Sequence, residues 1–142
     1  MPGVIENAIN KRYDNHHHNY GYVVYAAAVL GKGDSEFLNK YYEQLMYYVR
    51  DYANPNPKDK YFPLARHHDW YSGHTWSGGL AEYDDNRNEQ SFSESINAYY
   101  AVVLLGEAKK DIPLKNWGRM LLAMQVRGTR KYVQMRDTSV YP

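Results

Sequence analysis

The spacing of apolar residues in the first half of the chain predicts two helices. Residues 20–30 (YGYVVYAAAVL) are apolar on all sides, which predicts a buried helix that Gly31 and Gly33 bring to an end. Asp34 is placed to cap a second helix over about residues 34–52. Its apolar residues recur at three- and four-residue spacing and predict one buried face: Phe37, Leu38, Tyr41, Leu45, Tyr48, Val49 and Tyr52.

The second half of the chain also predicts two helices. Ser91 or Ser93 can cap a third helix that runs to about Lys110. Its expected buried side consists of Ile96, Tyr99, Tyr100, Val103 and Leu104. A fourth helix is predicted over about residues 114–135, although Gly118 and Gly128 lower its helix propensity.

A long stretch without a sustained period, residues 58–90, separates the two halves. Long aperiodic loops in compact domains are usually functional or disordered, and aromatic residues such as Trp70, Tyr71 and Trp76 argue against disorder. We therefore expect a structured binding loop. Together the patterns predict an all-α domain of helical hairpins that occupies residues 1–142, with a polar, aromatic-lined site at the helix entrances.

Charge and composition argue against some classes of binding partner and favour another. The chain has 17 Lys and Arg against 16 Asp and Glu, mixed along its length, so nothing attracts nucleic acid or an anionic membrane electrostatically. No apolar stretch approaches the ~20 residues that cross a bilayer, and the first twelve residues lack a signal-peptide pattern. Sixteen tyrosines and three tryptophans suit flat amphipathic partners, including the faces of sugar rings.

Six histidines raise the question of a metal site: His16, His17, His18, His67, His68 and His74. Three consecutive histidines on a regular element cannot all face one ion, so we expect no metal and no cofactor. The residues alone favour buried or capping histidines.

Three segments carry a family resemblance: residues 13–22 (YDNHHHNYGY), 69–80 (DWYSGHTWSGGL) and 88–100 (NEQSFSESINAYY). They resemble glycoside hydrolase family 81, which typically reads Tyr-Asn-Asp-His-His-Phe-His-Tyr-Gly-Tyr, Asp-x-x-x-Gly-His-Ser-Trp-Ala-x-Gly-Leu and Asn-Gln-Glu-Ser-x-Ser-Glu-x-x-Asn-Ala at these places. Residues 51–54 (DYAN) and 59–66 (DKYFPLAR) also agree with the family pattern.

The resemblance implies endo-hydrolysis of β-1,3-glucan with inversion at the anomeric carbon, inside an (α/α)6 toroid of which this chain supplies a part. The expected partners are β-1,3-glucan or laminari-oligosaccharides, together with further domains of a longer parent chain. An extracellular or cell-wall-associated location agrees with the family, although the residues themselves specify no compartment.

The catalytic positions depart from the family pattern. Inverting hydrolysis needs one carboxylic acid and one carboxylate. By resemblance Asn15 falls on the acid, Gln90 on the first glutamate, and Glu94 on the second glutamate, which is kept. Asp14 and Glu89 precede the two amides, so each pair reads in reversed order, and a one-residue slip would bring Asp14 to the acid position. Two functions remain open: hydrolysis, or binding of β-1,3-glucan without turnover.

The resemblance and the loop position also assign a set of residues to substrate binding. They are His16, His17, Tyr20, Asp69, Tyr71, His74, Trp76 and Asn97. Tyr22, Tyr99 and Tyr100 lie within helical patterns and are expected in the core. Gln125 stands where relatives often have glutamate, which makes it a third replacement of an acid by an amide.

Overall fold

A computed structural model describes residues 13–79 and 87–134 of the 142-residue chain. The described part contains four helices: α1 (His16–Gly33), α2 (Ser35–Ala53), α3 (Phe92–Lys109) and α4 (Ile112–Tyr132). Between α2 and α3 lies a short antiparallel hairpin of β1 (His68–Asp69) and β2 (His74–Thr75). The predicted all-α class is confirmed, and none of these four helices is long and apolar enough to cross a membrane.

The helices do not pack in simple chain order, since α1 packs on both α2 and α3, and α3 packs on α4. A Cβ atom on Gly21 would lie 2.7 Å from the Cβ atom of Ala98, so these two residues let α1 and α3 approach closely. Gly118 does the same between α4 and α3, since a Cβ atom there would lie 2.8 Å from the backbone nitrogen of Val103. The glycine that weakens α4 as an isolated helix is therefore required by its packing.

Side-chain caps fix where the helices begin, as the sequence predicts. Asp34 accepts hydrogen bonds from the backbone N–H groups of Glu36 and Phe37 at 3.0 and 2.9 Å, which confirms the predicted start of α2. Ser91 accepts one from the N–H of Glu94 at 3.4 Å and starts α3.

Two expectations about helix α1 were wrong. It begins at His16, four residues before the predicted start, because the histidine segment is itself helical. Its apolar surface is also not buried all round, since helices in the described part cover only one side. Five large apolar side chains are at least 38% exposed: Tyr22, Val23, Tyr25, Val29 and Leu30.

The buried face of α3 also differs from the predicted one. Tyr99 is buried as expected, but Tyr100 is 43% exposed. Close contact with α1 and α4 selects small residues for part of the buried face, including Ala98 and Ala101, and leaves Tyr100 on the outside. Helix α4 ends at Tyr132, three residues before the predicted end.

The loop after α2 is structured, as predicted for residues 58–90 as far as they are described. Asn54 is 1% exposed, and its side chain donates hydrogen bonds to the carbonyl oxygens of Asn56 and Phe62 at 3.1 and 2.7 Å. Asp59 bonds the N–H of Phe62 at 3.2 Å and pairs with Arg50 at 2.7 Å. These polar side chains replace a regular backbone ladder and hold the loop against α2.

Candidate functional site

Asn15 and Gln90, the two amides that the family resemblance places at catalytic positions, contact each other. Asn15 precedes α1 and has a left-handed backbone conformation with φ of 56°, which asparagine tolerates better than most residues. Its side chain makes no helix cap. Instead its Nδ2 atom donates a hydrogen bond of 2.8 Å to the Oε1 atom of Gln90.

Ser77 links the residues before α1 to residues 88–90. It is fully buried, and its carbonyl oxygen accepts a hydrogen bond from the backbone N–H of Asn15 at 2.9 Å. Its own N–H bonds the carbonyl oxygen of Asn88 at 2.7 Å, and its Oγ atom accepts from the N–H of Gln90 at 3.0 Å. Sequence reasoning missed Ser77, because a small polar residue in a glycine-containing loop carries no distinctive signal.

Glu94 is the partly exposed carboxylate of the site. It is the third residue of α3, and its side chain is 36% exposed. Its Oε1 atom accepts a hydrogen bond of 3.0 Å from the hydroxyl of Tyr22, and its Oε2 atom lies 3.6 Å from Nδ1 of His18. Tyr22 was expected in the core but is 52% exposed, so its role is contact with this carboxylate.

Gln90 and Glu94 lie four residues apart but do not share one helical face. Helix α3 begins only at Phe92, so Gln90 lies before the cap residue and four-residue helical spacing does not apply. The two side chains therefore have different partners, Asn15 for Gln90 and Tyr22 for Glu94.

Glu89, the neighbour of Gln90, is the buried acid of the region. Its side chain is 1% exposed, with Oε1 3.0 Å from Nε2 of His18 and Oε2 3.3 Å from Nε2 of His17. Thr75 donates a hydrogen bond of 2.6 Å to Oε2. Burial opposes ionisation, but the bonds from His17 and His18 outweigh it and hold the pKa of Glu89 well below its usual range. Glu89 and Gln90 stand in the reverse of the order typical of the family, and the acid, Glu89, faces the interior.

Three imidazole rings stack beside Glu89. The ring centroids of His17 and His18 are 4.0 Å apart, and those of His17 and His67 are 4.1 Å apart. Burial lowers the pKa of His17 and lowers that of His67 well below the usual histidine value. Burial therefore favours the neutral form of both rings.

The histidines assigned to substrate binding lie in the interior. His16, His17 and His74 are 5%, 0% and 4% exposed. His16 bonds Asp51 through Nδ1 at 2.9 Å, and His74 bonds the carbonyl oxygen of Thr75 at 2.8 Å. Their burial agrees with what the residues alone favour, and direct contact with sugar stays a prediction.

Asp69 organises the hairpin. Its Oδ1 atom accepts hydrogen bonds from the N–H groups of Tyr71 and Ser72, and its Oδ2 atom accepts one of 2.9 Å from the indole of Trp76. Burial works against ionisation, but these bonds lower the pKa of Asp69 to about 2. The carboxylate is therefore charged at any working pH, and it fixes the half-buried Trp76 while Tyr71 at the turn is 96% exposed.

The remaining predicted residues surround this region. Tyr20 is half-buried and packs on His16 and Tyr48, with ring centroids 4.8 and 5.1 Å away, and burial raises its pKa. Asn97 is half-buried on α3. Asp14 is also half-buried, and its Oδ1 atom has no hydrogen-bond partner among the described residues.

Gln125 lies outside the exposed site. It is fully buried on α4, where Oε1 accepts from the N–H of Thr75 at 2.9 Å and Nε2 donates to the Thr75 hydroxyl at 3.2 Å. Thr75 in turn bonds Glu89. Gln125 therefore holds Thr75, which in turn bonds the buried acid Glu89. Thr75 and Gln125 lie 50 positions apart, and the sequence did not predict their contact.

Comparison with known proteins identifies the family of this chain. The model of the glycosyl hydrolase family 81 C-terminal domain matches residues 7–142. The chain belongs to family 81. It is 36% identical over 135 residues to the primary septum glucan endo-1,3-β-D-glucosidase of Schizosaccharomyces pombe, covering 94% of this chain and 13% of that protein. It is 37% identical over 126 residues to a glucan endo-1,3-β-D-glucosidase of Glycine max, covering 88% and 19%.

A solved family 81 structure has the same fold. The family 81 glycoside hydrolase of Clostridium thermocellum superposes with a TM-score of 0.85 at 31% identity, over 92% of this chain and 18% of that one. The four helices are therefore helical hairpins of the family's toroid. The chain spans less than a fifth of the length of these three family 81 proteins.

Proposed function

We propose that this family 81 chain forms part of a β-1,3-glucan cleft and takes part in endo-hydrolysis of internal linkages with inversion. The observation that carries the proposal is Glu94, a partly exposed carboxylate that accepts a hydrogen bond of 3.0 Å from Tyr22, at a position where the family pattern has glutamate. The printed names of the relatives, glucan endo-1,3-β-D-glucosidases, support the substrate class. In this proposal residues 1–142 are one partial catalytic domain, which further parts of a longer protein complete.

Glu94 is proposed as the base that activates water. The hydroxyl of Tyr22 bonds one carboxylate oxygen, and the other lies 3.6 Å from His18, so both contacts orient the group while a third of it stays open to solvent. The hydroxyl contact also raises the pKa of Tyr22, which keeps that residue a donor. Proton donation to the leaving oxygen falls in this proposal to Asp14, since the neighbouring Asn15 has no titrating proton.

Sugar contact is proposed for exposed aromatic surface on the hairpin. Trp70 and Tyr71 are 46% and 96% exposed, and Trp76 is anchored through its indole nitrogen to Asp69. Aromatic faces pack against the apolar faces of sugar rings, whereas the carboxylate of Asp69 is already occupied by hairpin contacts. Laminari-oligosaccharides are therefore the ligands of choice for testing the surface.

A second function, binding of β-1,3-glucan without turnover, is favoured by the contact between Asn15 and Gln90. Inverting enzymes place their two carboxyl groups roughly 6.5–9.5 Å apart to admit a water molecule. Here the corresponding side chains touch at 2.8 Å. Amides neither donate a catalytic proton nor activate water, but they keep the hydrogen-bonding capacity that holds sugar hydroxyls.

Reducing-sugar release and calorimetric titration with laminari-oligosaccharides separate the two functions. Hydrolysis predicts release by the 142-residue chain, loss of release in Glu94→Gln, and unchanged release in Glu43→Gln, an exposed acid on α2. Binding without turnover predicts heat but no release from the unmodified chain. It also predicts release from the Asn15→Asp/Gln90→Glu double variant. Absence of both heat and release from the unmodified chain would contradict both functions.

A further inference from the structure

His17 and Glu89 carry no step of the proposed hydrolysis, and His18 enters it only through its 3.6 Å contact with Glu94. The side chains of His17, His18 and Glu89 are 0%, 4% and 1% exposed, so all three lie in the interior. They come from two distant segments, since His17 lies 72 residues before Glu89. Such convergence of two imidazoles and a carboxylate in the interior needs its own explanation.

We propose that His17, His18 and Glu89 form a binding site for one divalent transition-metal ion of the zinc class. Each residue offers one ligand atom, and these three atoms lie within 4.8 Å of one another. The proposal does not depend on glucan binding or hydrolysis.

The distances fit a tetrahedral ion. Zinc lies about 2.0–2.1 Å from histidine nitrogen and carboxylate oxygen, which puts neighbouring ligands of a tetrahedron about 3.3 Å apart. The Nε2 atoms of His17 and His18 lie 3.3 and 3.0 Å from the two oxygens of Glu89. These two contacts are to different oxygens of Glu89, so ligation by one atom from each residue requires the side chains to shift until those atoms, which lie within 4.8 Å of one another, surround the ion.

The helix geometry explains how two consecutive histidines serve one ion. Side chains of adjacent helical residues diverge by about 100°, so three in a row cannot converge. His17 and His18 nevertheless bring their rings to 4.0 Å, and Glu89 meets both from the segment before α3. The sequence predicts no metal site from the three histidines alone, whereas the structure adds the carboxylate of Glu89 from another segment.

Charge also favours a cation. Among the described residues no lysine or arginine pairs with Glu89, whose carboxylate is buried. Burying a carboxylate without a counter-charge is costly, and metal ligation is one of the standard ways in which proteins offset that cost.

Groups around the ligands have the roles expected next to a metal. Histidine ligands usually direct their second nitrogen to a carboxylate or carbonyl, and Nδ1 of His18 lies 3.6 Å from Glu94. Thr75 bonds Glu89, and the Ser95 hydroxyl lies 3.0 and 3.1 Å from the two Nε2 atoms. Two imidazoles and one carboxylate suit zinc and cobalt, whereas magnesium and calcium prefer oxygen ligands alone.

The test is titration of the chelator-treated 142-residue chain with Co²⁺ and then Zn²⁺. We expect one equivalent of Co²⁺ to give the intense visible bands of a four-coordinate ion, and one equivalent of Zn²⁺ to remove them by displacing the cobalt. A featureless titration of the folded, unmodified chain would overturn the proposal.

Three variants assign the ligands. His18→Phe and Glu89→Gln should each weaken Co²⁺ binding by more than about 100-fold, because loss of a ligand exceeds the 10–100-fold loss typical of its outer partners. His68→Gln removes another buried histidine and should leave binding unchanged. Retention of the bands in both ligand variants would contradict the proposed site. Since Glu89→Gln keeps the size of the side chain, it decides the question if His18→Phe does not fold.

Discussion

The side-chain nitrogen of Asn15 donates a hydrogen bond of 2.8 Å to the side-chain oxygen of Gln90, across 75 residues of sequence. The family resemblance predicts acids at both positions. Because an amide donates and accepts at once, the pair forms a neutral contact that two carboxylates at the same separation would not tolerate.

Replacing both amides with acids should make stability depend on pH. In the Asn15→Asp/Gln90→Glu double variant, like charges in contact raise the folded-state pKa of one carboxyl above its unfolded value of about 4. The folded chain then holds a proton that the unfolded chain has lost. Stability should therefore fall between about pH 4 and pH 7, by about 1 kcal/mol at this partly exposed site.

Thermal melting at pH 4 and pH 7 measures this effect. Either single variant keeps one amide that donates to the new carboxylate, so each should melt like the unmodified chain at both pH values. A double variant with no pH-dependent loss would mean that the two side chains separate when charged.

Asp69 should contribute stability that disappears in acid. Its folded-state pKa of about 2 lies below the unfolded value of about 3.9, so the contribution is complete above about pH 4 and is lost as pH falls towards 2. The variant Asp69→Asn should lose about 1 kcal/mol at pH 7, a modest figure because the carboxylate is partly exposed. It should also lack this acid transition.

Urea unfolding followed by tryptophan fluorescence checks the prediction, since Trp76 bonds Asp69 directly. Glu43→Gln, an exposed change on α2, provides the control and should keep the unmodified profile. If Asp69→Asn unfolded with the same acid dependence as the unmodified chain, another carboxylate would be responsible.

Close contact between α1 and α3 should make Gly21 sensitive to a single methyl group. In Gly21→Ala the new Cβ atom would lie 2.7 Å from Cβ and 2.8 Å from Cα of Ala98, so the helices must separate. We expect a loss of about 1–3 kcal/mol from overpacking, which exceeds the gain of about 1 kcal/mol in helix propensity.

Gly33→Ala is the matched control on the same helix. A Cβ atom there meets nothing within 4 Å, so the variant should be as stable as the unmodified chain or slightly more stable. Chemical denaturation of both variants gives the comparison. Equal stabilities would show that α1 and α3 are not tightly packed at Gly21.

The exposed apolar face of α1 should cause self-association. Val29 and Leu30 are 52% and 59% exposed, and Val29 lines a groove of about 480 Å³ together with Tyr25 and Tyr100. Large uncovered apolar patches promote association. The Val29→Lys/Leu30→Gln double variant should therefore be more monomeric than the unmodified chain.

Sedimentation at several concentrations measures the difference. Val133→Lys replaces a residue that is 45% exposed beyond α4, away from this face, and should leave association unchanged. An unmodified chain that stays monomeric at all concentrations and melts cooperatively would contradict the prediction.

The sequence by itself determined the elements and the family. Apolar spacing and the caps at Asp34 and Ser91 are local features, so they located α2 and α3 to within one or two residues. The ordered segments around Asn15, Asp69 and Glu94 identified the family, because a motif needs only residue types at fixed spacing. The shift of α1 to His16 was missed because three histidines carry little helix signal.

Only the tertiary structure decided which helix faces are buried and which side chains from distant segments are in contact. Periodicity could not show that α1 has one uncovered side, because burial depends on neighbouring helices as well as on the residue. Nor could it show that Glu89 is buried between His17 and His18 while Gln90 touches Asn15. Those contacts join residues more than 70 positions apart, and their geometry is set by how close Gly21 lets α1 and α3 come.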